Sequence, residues 1–247
     1  MAVTPSIALI VLCVVMVIAS AAVYRLAGLG SPSVVPRASI RAVLQLSAIA
    51  LILAAAVRHL WSAAVVLLVM FGAAVFTSVR RAEAGRSGIW LGLAIAAGIV
   101  AAMPVTLASG VVPIHGLTLV SIGGILLGGT MTATSLAARR GLDAVNQRWG
   151  EVEAALSLGF TGHQARMMVL TGAATDALIP GVDQARTVGL VTLPGAFIGV
   201  LLTSGSAAQA GAVQILVLIG LMLSQTCAVA VTLELVARTV VSRSPDR

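Results

Sequence analysis

Lysine is absent from this chain of 247 residues; all 15 basic residues are arginine. That absence removes two functions. A P-loop places a lysine on the nucleotide phosphates, so ATP hydrolysis by that route is closed to this chain. A retinal Schiff base needs a lysine amine, which excludes a rhodopsin-like pump or sensor. Charge is scarce as well: 9% of the residues are charged and 59% are hydrophobic, whereas a soluble domain is about one quarter charged. Too little polar surface is left to wrap a water-soluble globule, so lipid takes the place of water as solvent. Aromatics make up only 3%, which provides no base-stacking platform. The net charge of +7 is therefore read as arginine-rich cytoplasmic loops and not as a nucleic-acid surface. The two cysteines, Cys13 and Cys227, lie inside apolar runs and read as small buried hydrophobes.

The chain is rich in long apolar runs. A membrane-crossing helix needs about 20 mostly apolar residues, and runs of that kind cover 5–24, 38–57, 61–79, 89–107, 116–138, 187–203 and 212–237. The expected fold is all-α, a polytopic membrane protein with about seven transmembrane helices in one domain over 1–247. No positive segment precedes the first run, so it reads as a helix and not as a cleaved signal. With the N-terminus outside and the C-terminus cytoplasmic, every arginine except Arg58 falls on cytoplasmic segments, the bias expected of inner loops. Outside loops at 58–60, 108–115 and 204–211 are short. The segment 139–186 is the sizeable stretch expected on the cytoplasmic side, where a partner would dock. Gly124-x-x-x-Gly128 and Gly195-x-x-x-Gly199 have the small-residue spacing of close helix packing, read as packing inside the bundle in preference to the alternative, a subunit interface. Pro194 falls within the sixth run and is expected to kink it.

Within 139–186, residues 151–158 are mostly good helix formers. Glu151 sits at the start, where the helix dipole favours negative charge. Gly159 suits the position just past the helix end, and Thr161 is a candidate N-cap for a restart. The plainer reading is a solvated loop helix. The spacing Glu153-Ala154-Ala155-x-x-x-Gly159, however, resembles the first half of the EAA motif of ABC importer permeases. That loop forms a coupling helix seated in a groove of the ATPase subunit. The second half departs from the motif, since Ile179-Pro180 comes much farther along the chain.

Three further stretches, Arg41-Ala-Val-Leu-Gln-Leu46, Leu156-Ser-Leu-Gly-Phe-Thr161 and the block from Ala177 to Gly195, resemble the FetB-like (UPF0014) permeases. The resemblance runs over residues 38–240. It implies the permease half of an ABC transporter, an exporter of a metal such as iron or of a chelated or polar solute. ATP and Mg would then bind a separate ATPase subunit, and a second permease copy would complete a homodimer in a bacterial cytoplasmic membrane. It further implies that Glu151, Glu153, Ala154, Ala155, Gly159 and Gln164 carry ATPase coupling, with Arg148 at the flank. One departure touches the substrate path: Gly128-Gly129-Thr130-Met131 stands where relatives often have Gly-Asn-x-Met.

Gln45, Thr132 and Gln225 are the expected pathway residues, drawn from a set of uncharged polar groups in the apolar runs. Such groups line a path for a neutral or chelated solute, or simply bond helix to helix. No metal site is expected: His59, His115 and His163 stand alone, and no His-x-x-x-His or Cys-x-x-Cys occurs. Glu234 is expected to pair with Arg238 one turn on. No cofactor is expected in this chain, nor catalysis: Glu151 and Glu153 are two apart and point to different helix faces. The rival reading is a channel or scaffold that moves nothing with ATP.

Overall fold

The computed structural model describes residues 6–56, 60–110, 112 and 114–243, with side chains 51–56 excluded. Arg58 and Arg247, which figured in the orientation argument, and His59, one of the lone histidines, lie outside the described residues. The described chain is all-α, with no β-strand, only an isolated bridge between Val188 and Thr192. The helices are α1 (Ile7–Leu26), α2 (Val34–Ala56), α3 (Leu60–Ala82), α4 (Leu91–Ala108), α5 (Gly116–Gln147), α6 (Trp149–Ser157), α7 (Gly162–Thr187), α8 (Gly195–Ser204) and α9 (Ala207–Ala237). A 3₁₀ turn, Gly85–Trp90, leads into α4.

Two units separate by contact density, Met1–Val57 and Arg58–Arg247. The first is the α1/α2 pair. Ser6 caps α1 by accepting the Leu9 N–H, and α1 buries no residue fully. Cys13 is exposed on it, which corrects the reading of Cys13 as a buried hydrophobe.

In the second unit α5 and α9 form the centre. α5 packs against α3, α4, α7 and α9, and α9 also meets α4, α7 and α8. Its core at one end joins Leu142 of α5, Leu170 of α7 and Leu233 of α9. At the other end Ala102 of α4, Leu126 of α5 and Val217 of α9 pack together. Where lipid is as apolar as the core, close packing and interhelical hydrogen bonds hold helices together. Gly98 shows how close: a Cβ there would lie 2.5 Å from the Ser224 carbonyl oxygen of α9. Gly129 and Gly181, as well as Gly88 and Gly123, likewise permit contacts that a Cβ would close to under 3.0 Å. Of the Gly-x-x-x-Gly residues, Gly124 packs inside the bundle, 3.0 Å from Met70 Cε for an added Cβ, whereas Gly128, Gly195 and Gly199 face open space, so the internal packing expected of the pairs is met at Gly124 alone.

Among the described residues, five helical stretches are long and apolar enough to cross a membrane: Ile7–Leu26, Leu60–Ala82, Gly85–Ala108, Gly116–Gln147 and Ala207–Ala237. α2 has 23 residues, and its last side chains fall outside the described ones. The sixth apolar run does not form one helix. Residues 188–194 are turns and α8 has only ten residues. Pro194 is its N-cap, with ψ 148°; proline fits a helix start, where no N–H is needed. Proline lies in the interior of α4, at Pro104, and of α7, at Pro180, and in the first turn of α2, at Pro36.

The segment 139–186 also differs from an extended loop. It comprises the end of α5, all of α6 and nearly all of α7. α7 runs back along α5 and α9, so that Gly181 meets Gln225, well inside α9. The second half of α7, with Arg186, is thereby carried away from the arginine-rich end. That end is defined by direct contacts. Ser87, before α4, donates to the Ser242 carbonyl after α9 at 2.8 Å. Arg166 Nη1 donates to the Ala237 carbonyl at 2.9 Å, and Arg243 pairs with Asp143 at 2.5 Å.

Candidate coupling helix and polar seam

α6 has nine residues, too few to be stable alone. Val152 and Ala155, three apart on one face, are buried against Ala165 and Val169 of α7. Removing a valine side chain from water contributes ~1.5–3 kcal/mol, which fixes this short helix onto α7. Arg148 secures its start: Nε and Nη2 donate to the two Glu151 oxygens at 2.6 and 2.5 Å. Its Nη1 reaches the Val169 carbonyl at 3.4 Å. Trp149 Nε1 donates to Glu153 at 2.8 Å.

The end of α6 is equally defined. Gly159 adopts φ 92°. Its N–H donates to Leu156 O at 3.0 Å and the Phe160 N–H to Ala155 O at 3.1 Å, the paired bonds of a Schellman motif. α7 then starts on a full capping box. Thr161 Oγ1 accepts from Gln164 N at 3.3 Å, and Gln164 Oε1 accepts from Thr161 N at 3.0 Å. Two helix ends within a few residues thus satisfy their own backbone groups and give a rigid corner.

The corner divides the six expected coupling residues. Glu151, Glu153 and Ala154 are exposed; Ala155 turns inward at 5% exposure. Gly159 forms the turn, and Gln164 is held in the α7 cap. Sequence reasoning missed the apolar rim beside them. Leu158 is 79% exposed, and Leu156, Phe160 and Trp149 are exposed as well. Large apolar groups flanking a stop glycine outside the apolar runs were the available signal. An exposed apolar cluster rimmed by acidic groups on a stiff corner forms a surface suited to a protein partner.

The bond from Arg148 holds the Glu151 carboxyl below its ordinary value of 4.5 and raises Arg148 in turn. Glu151 favours the charged form in the folded protein, so the pair's contribution is complete above pH 4.5. It is lost as pH falls through the lower, folded value. Carboxyl ¹³C shifts should titrate below 4.5 in wild type and return towards it in Arg148→Gln; equal midpoints would refute the pairing.

Deeper in the bundle a polar seam crosses four helices. Thr130 of α5 and Ser224 of α9, both fully buried, share a short hydroxyl–hydroxyl hydrogen bond. Ser78 of α3 donates to Met131 O at 3.3 Å. Gln225 is 7% exposed and is clasped between Gly129 and Gly181, whose added Cβ atoms would lie 3.0 and 1.9 Å from its amide. Thr132 points away from this seam: it is exposed and donates to Gly128 O at 3.0 Å. Gln45 is exposed on α2 of the other unit. Gly129 and Gly181 are the residues that hold Gln225, and no local pattern joins them to it. A double-mutant cycle of Thr130→Val and Ser224→Ala should give a coupling of ~0.6–1.7 kcal/mol, the range of interhelical hydrogen bonds in membranes. Zero coupling in thermal unfolding would show that the bond contributes nothing.

The sequence profile described as "Uncharacterised protein family (UPF0014)" matches residues 7–241. The chain belongs to the UPF0014 family. Among its relatives, the UPF0014 membrane protein STAR2 of Oryza sativa subsp. japonica is 32% identical over 75% of this chain and 66% of its own length. Protein ALUMINUM SENSITIVE 3 of Arabidopsis thaliana is 32% identical over 72% and 66%. The chain thus spans just under two thirds of these two relatives. The probable iron export permease protein FetB of Escherichia coli (strain K12) is 31% identical over 62% of this chain and 59% of its own length. No solved structure matches the chain.

As a UPF0014 member the chain is a membrane protein, and its long apolar helices fit that setting. Among the described residues no three of His, Cys, Asp and Glu converge. His163 Nε2 instead meets Glu234 at 3.0 Å, and Glu234 also pairs with Arg238, as the one-turn spacing had suggested.

Proposed function

We propose that this UPF0014 chain is the membrane permease subunit of an ABC exporter and that α6 is its coupling helix. The observation that carries the reading is the geometry of α6. A helix of nine residues, packed on α7 and stopped by Gly159, presents Glu151, Glu153 and Ala154 outward. Such a corner transmits force because its two helix ends are closed by their own hydrogen bonds. A push on α6 passes through Val152 and Ala155 to α7, and through α7 to α9.

In this reading two copies of the chain pair with two ATPase subunits in a bacterial cytoplasmic membrane. Their N-termini face outward, and ATP with Mg is bound in the partner. The name of the Escherichia coli relative supports iron as cargo and outward transport. The seam around Gln225 is uncharged, which favours a chelated or neutral polar form over a bare ion. Inside-out vesicles holding this chain and its ATPase should accumulate radioactive iron offered as a chelate, and only with ATP. ATP-independent flux through the chain alone would favour the channel reading, and absence of flux with a stably bound ATPase would overturn the cargo assignment.

A further inference from the structure

We propose that a cavity at the arginine-rich end of the bundle binds the phosphodiester of an anionic phospholipid headgroup. The cavity measures about 440 Å³ and lies among the ends of α5 and α9, the starts of α6 and α7, and the tail after α9. Arg166 and Arg243 bring two guanidiniums to it, with Asn146 beside them, while Val145 and Val236 provide apolar wall.

The cations are held in place and only partly used. Arg166 is fixed by Nη1, which donates to Gly162 O at 3.0 Å and Ala237 O at 2.9 Å. Arg243 Nη2 binds Asp143 at 2.5 Å, while its Nε is buried without a hydrogen-bond partner. A buried donor of a charged group left unsatisfied is costly and calls for an acceptor. Trp149, which also lines the cavity, cannot supply that acceptor, because its indole N–H only donates and does so to Glu153.

Charge and depth select the ligand. Asp143 neutralises one of the two arginines, which leaves one net positive charge among these three groups. A phosphodiester carries one negative charge and matches it; a phosphate monoester carries ~1.5–2 at pH 7. The apolar stretch of α5 ends at Ala138, before Arg139. Leu142, on the cavity wall, stands ~6 Å beyond it by helical rise. The headgroup layer occupies ~5–8 Å on each side of the hydrocarbon, so the cavity opens at headgroup depth. Basic pockets between membrane helices at this level take anionic lipid headgroups.

The test uses the full chain, purified and delipidated in detergent, with thermal unfolding followed as lipid is added. The probes are phosphatidylglycerol, phosphatidylcholine and inorganic phosphate. Phosphatidylglycerol is expected to raise Tm saturably, and the other two are not. Arg243→Gln should weaken that response about tenfold, the loss of one charge-assisted hydrogen bond. Arg243→Lys, which keeps the charge but lacks the Nε donor, should also weaken it, and covers the case in which Arg243→Gln misfolds. Arg139→Gln, exposed and outside the cavity, should bind as wild type does. Unchanged binding in both Arg243 variants would overturn the proposal, as would equal loss in Arg139→Gln. An equal response to phosphatidylcholine or to inorganic phosphate would also overturn it, the latter by showing a soluble-phosphate site.

Discussion

Gly159→Val should reduce ATP-driven transport by about tenfold or more while leaving the protein in the membrane at wild-type amounts, given the strain of a β-branched residue at φ 92°. For an L-residue the left-handed conformation alone costs roughly 1–2 kcal/mol. Relaxing that strain breaks the bonds from Gly159 N–H to Leu156 O and from Phe160 N–H to Ala155 O. α6 then loses its stop, and the corner no longer holds its angle to α7. The bundle core, centred on α5, α7 and α9, does not depend on this turn. Gly159→Asn should be far milder, since asparagine tolerates left-handed backbone. Transport assays beside membrane immunoblots separate the outcomes: a valine variant that transports normally removes α6 from the mechanism, and one that disappears from the membrane shows a folding role instead.

Gly181→Ala should destabilise the bundle by ~1–3 kcal/mol, the cost of overpacking a filled interior. Its Cβ would lie 1.9 Å from Gln225 Oε1 and 2.9 Å from Cδ. Gln225 has little room to yield, because it is 7% exposed and its Nε2 already stands against Gly129. Shortening the glutamine should therefore rescue the alanine: Gln225→Ala combined with Gly181→Ala should unfold at a higher temperature than Gly181→Ala alone. Additive losses in the double variant would mean that the two side chains do not collide. The pair also tests the seam's function. A path running beside Gln225 should change its cargo preference in Gln225→Ala even where stability is retained.

Helix existence and type were legible because apolar runs of about 20 residues have one main use in a chain this poor in charge. The corner at Gly159 was legible for a local reason: a stop glycine and a Thr161-to-Gln164 capping box are written in adjacent residues. The sixth run misled because apolarity marks membrane depth and not continuity. Gly189 at φ 82°, and Pro194, break 187–203 into turns followed by α8. α7 was hidden for the opposite reason. It is polar enough, with Arg166, Asp176 and Asp183, to read as loop, yet small residues such as Ala173, Ala177 and Gly181 let it lie against its neighbours. The clasp of Gln225 was not legible at all. It depends on residues from α5, α7 and α9 that meet only after the helices have packed, and no local pattern encodes that contact.

The most direct test of the coupling-helix account is co-purification of the chain with its ATPase, comparing wild type with the Glu153→Arg, Gly159→Val double variant. The change reverses a charge on the exposed face of α6 and removes its stop in one step. Wild type should retain the ATPase through purification and the variant should lose it, with both chains present in the membrane in equal amounts. Equal retention by the two proteins would contradict the account and place the ATPase contact away from α6.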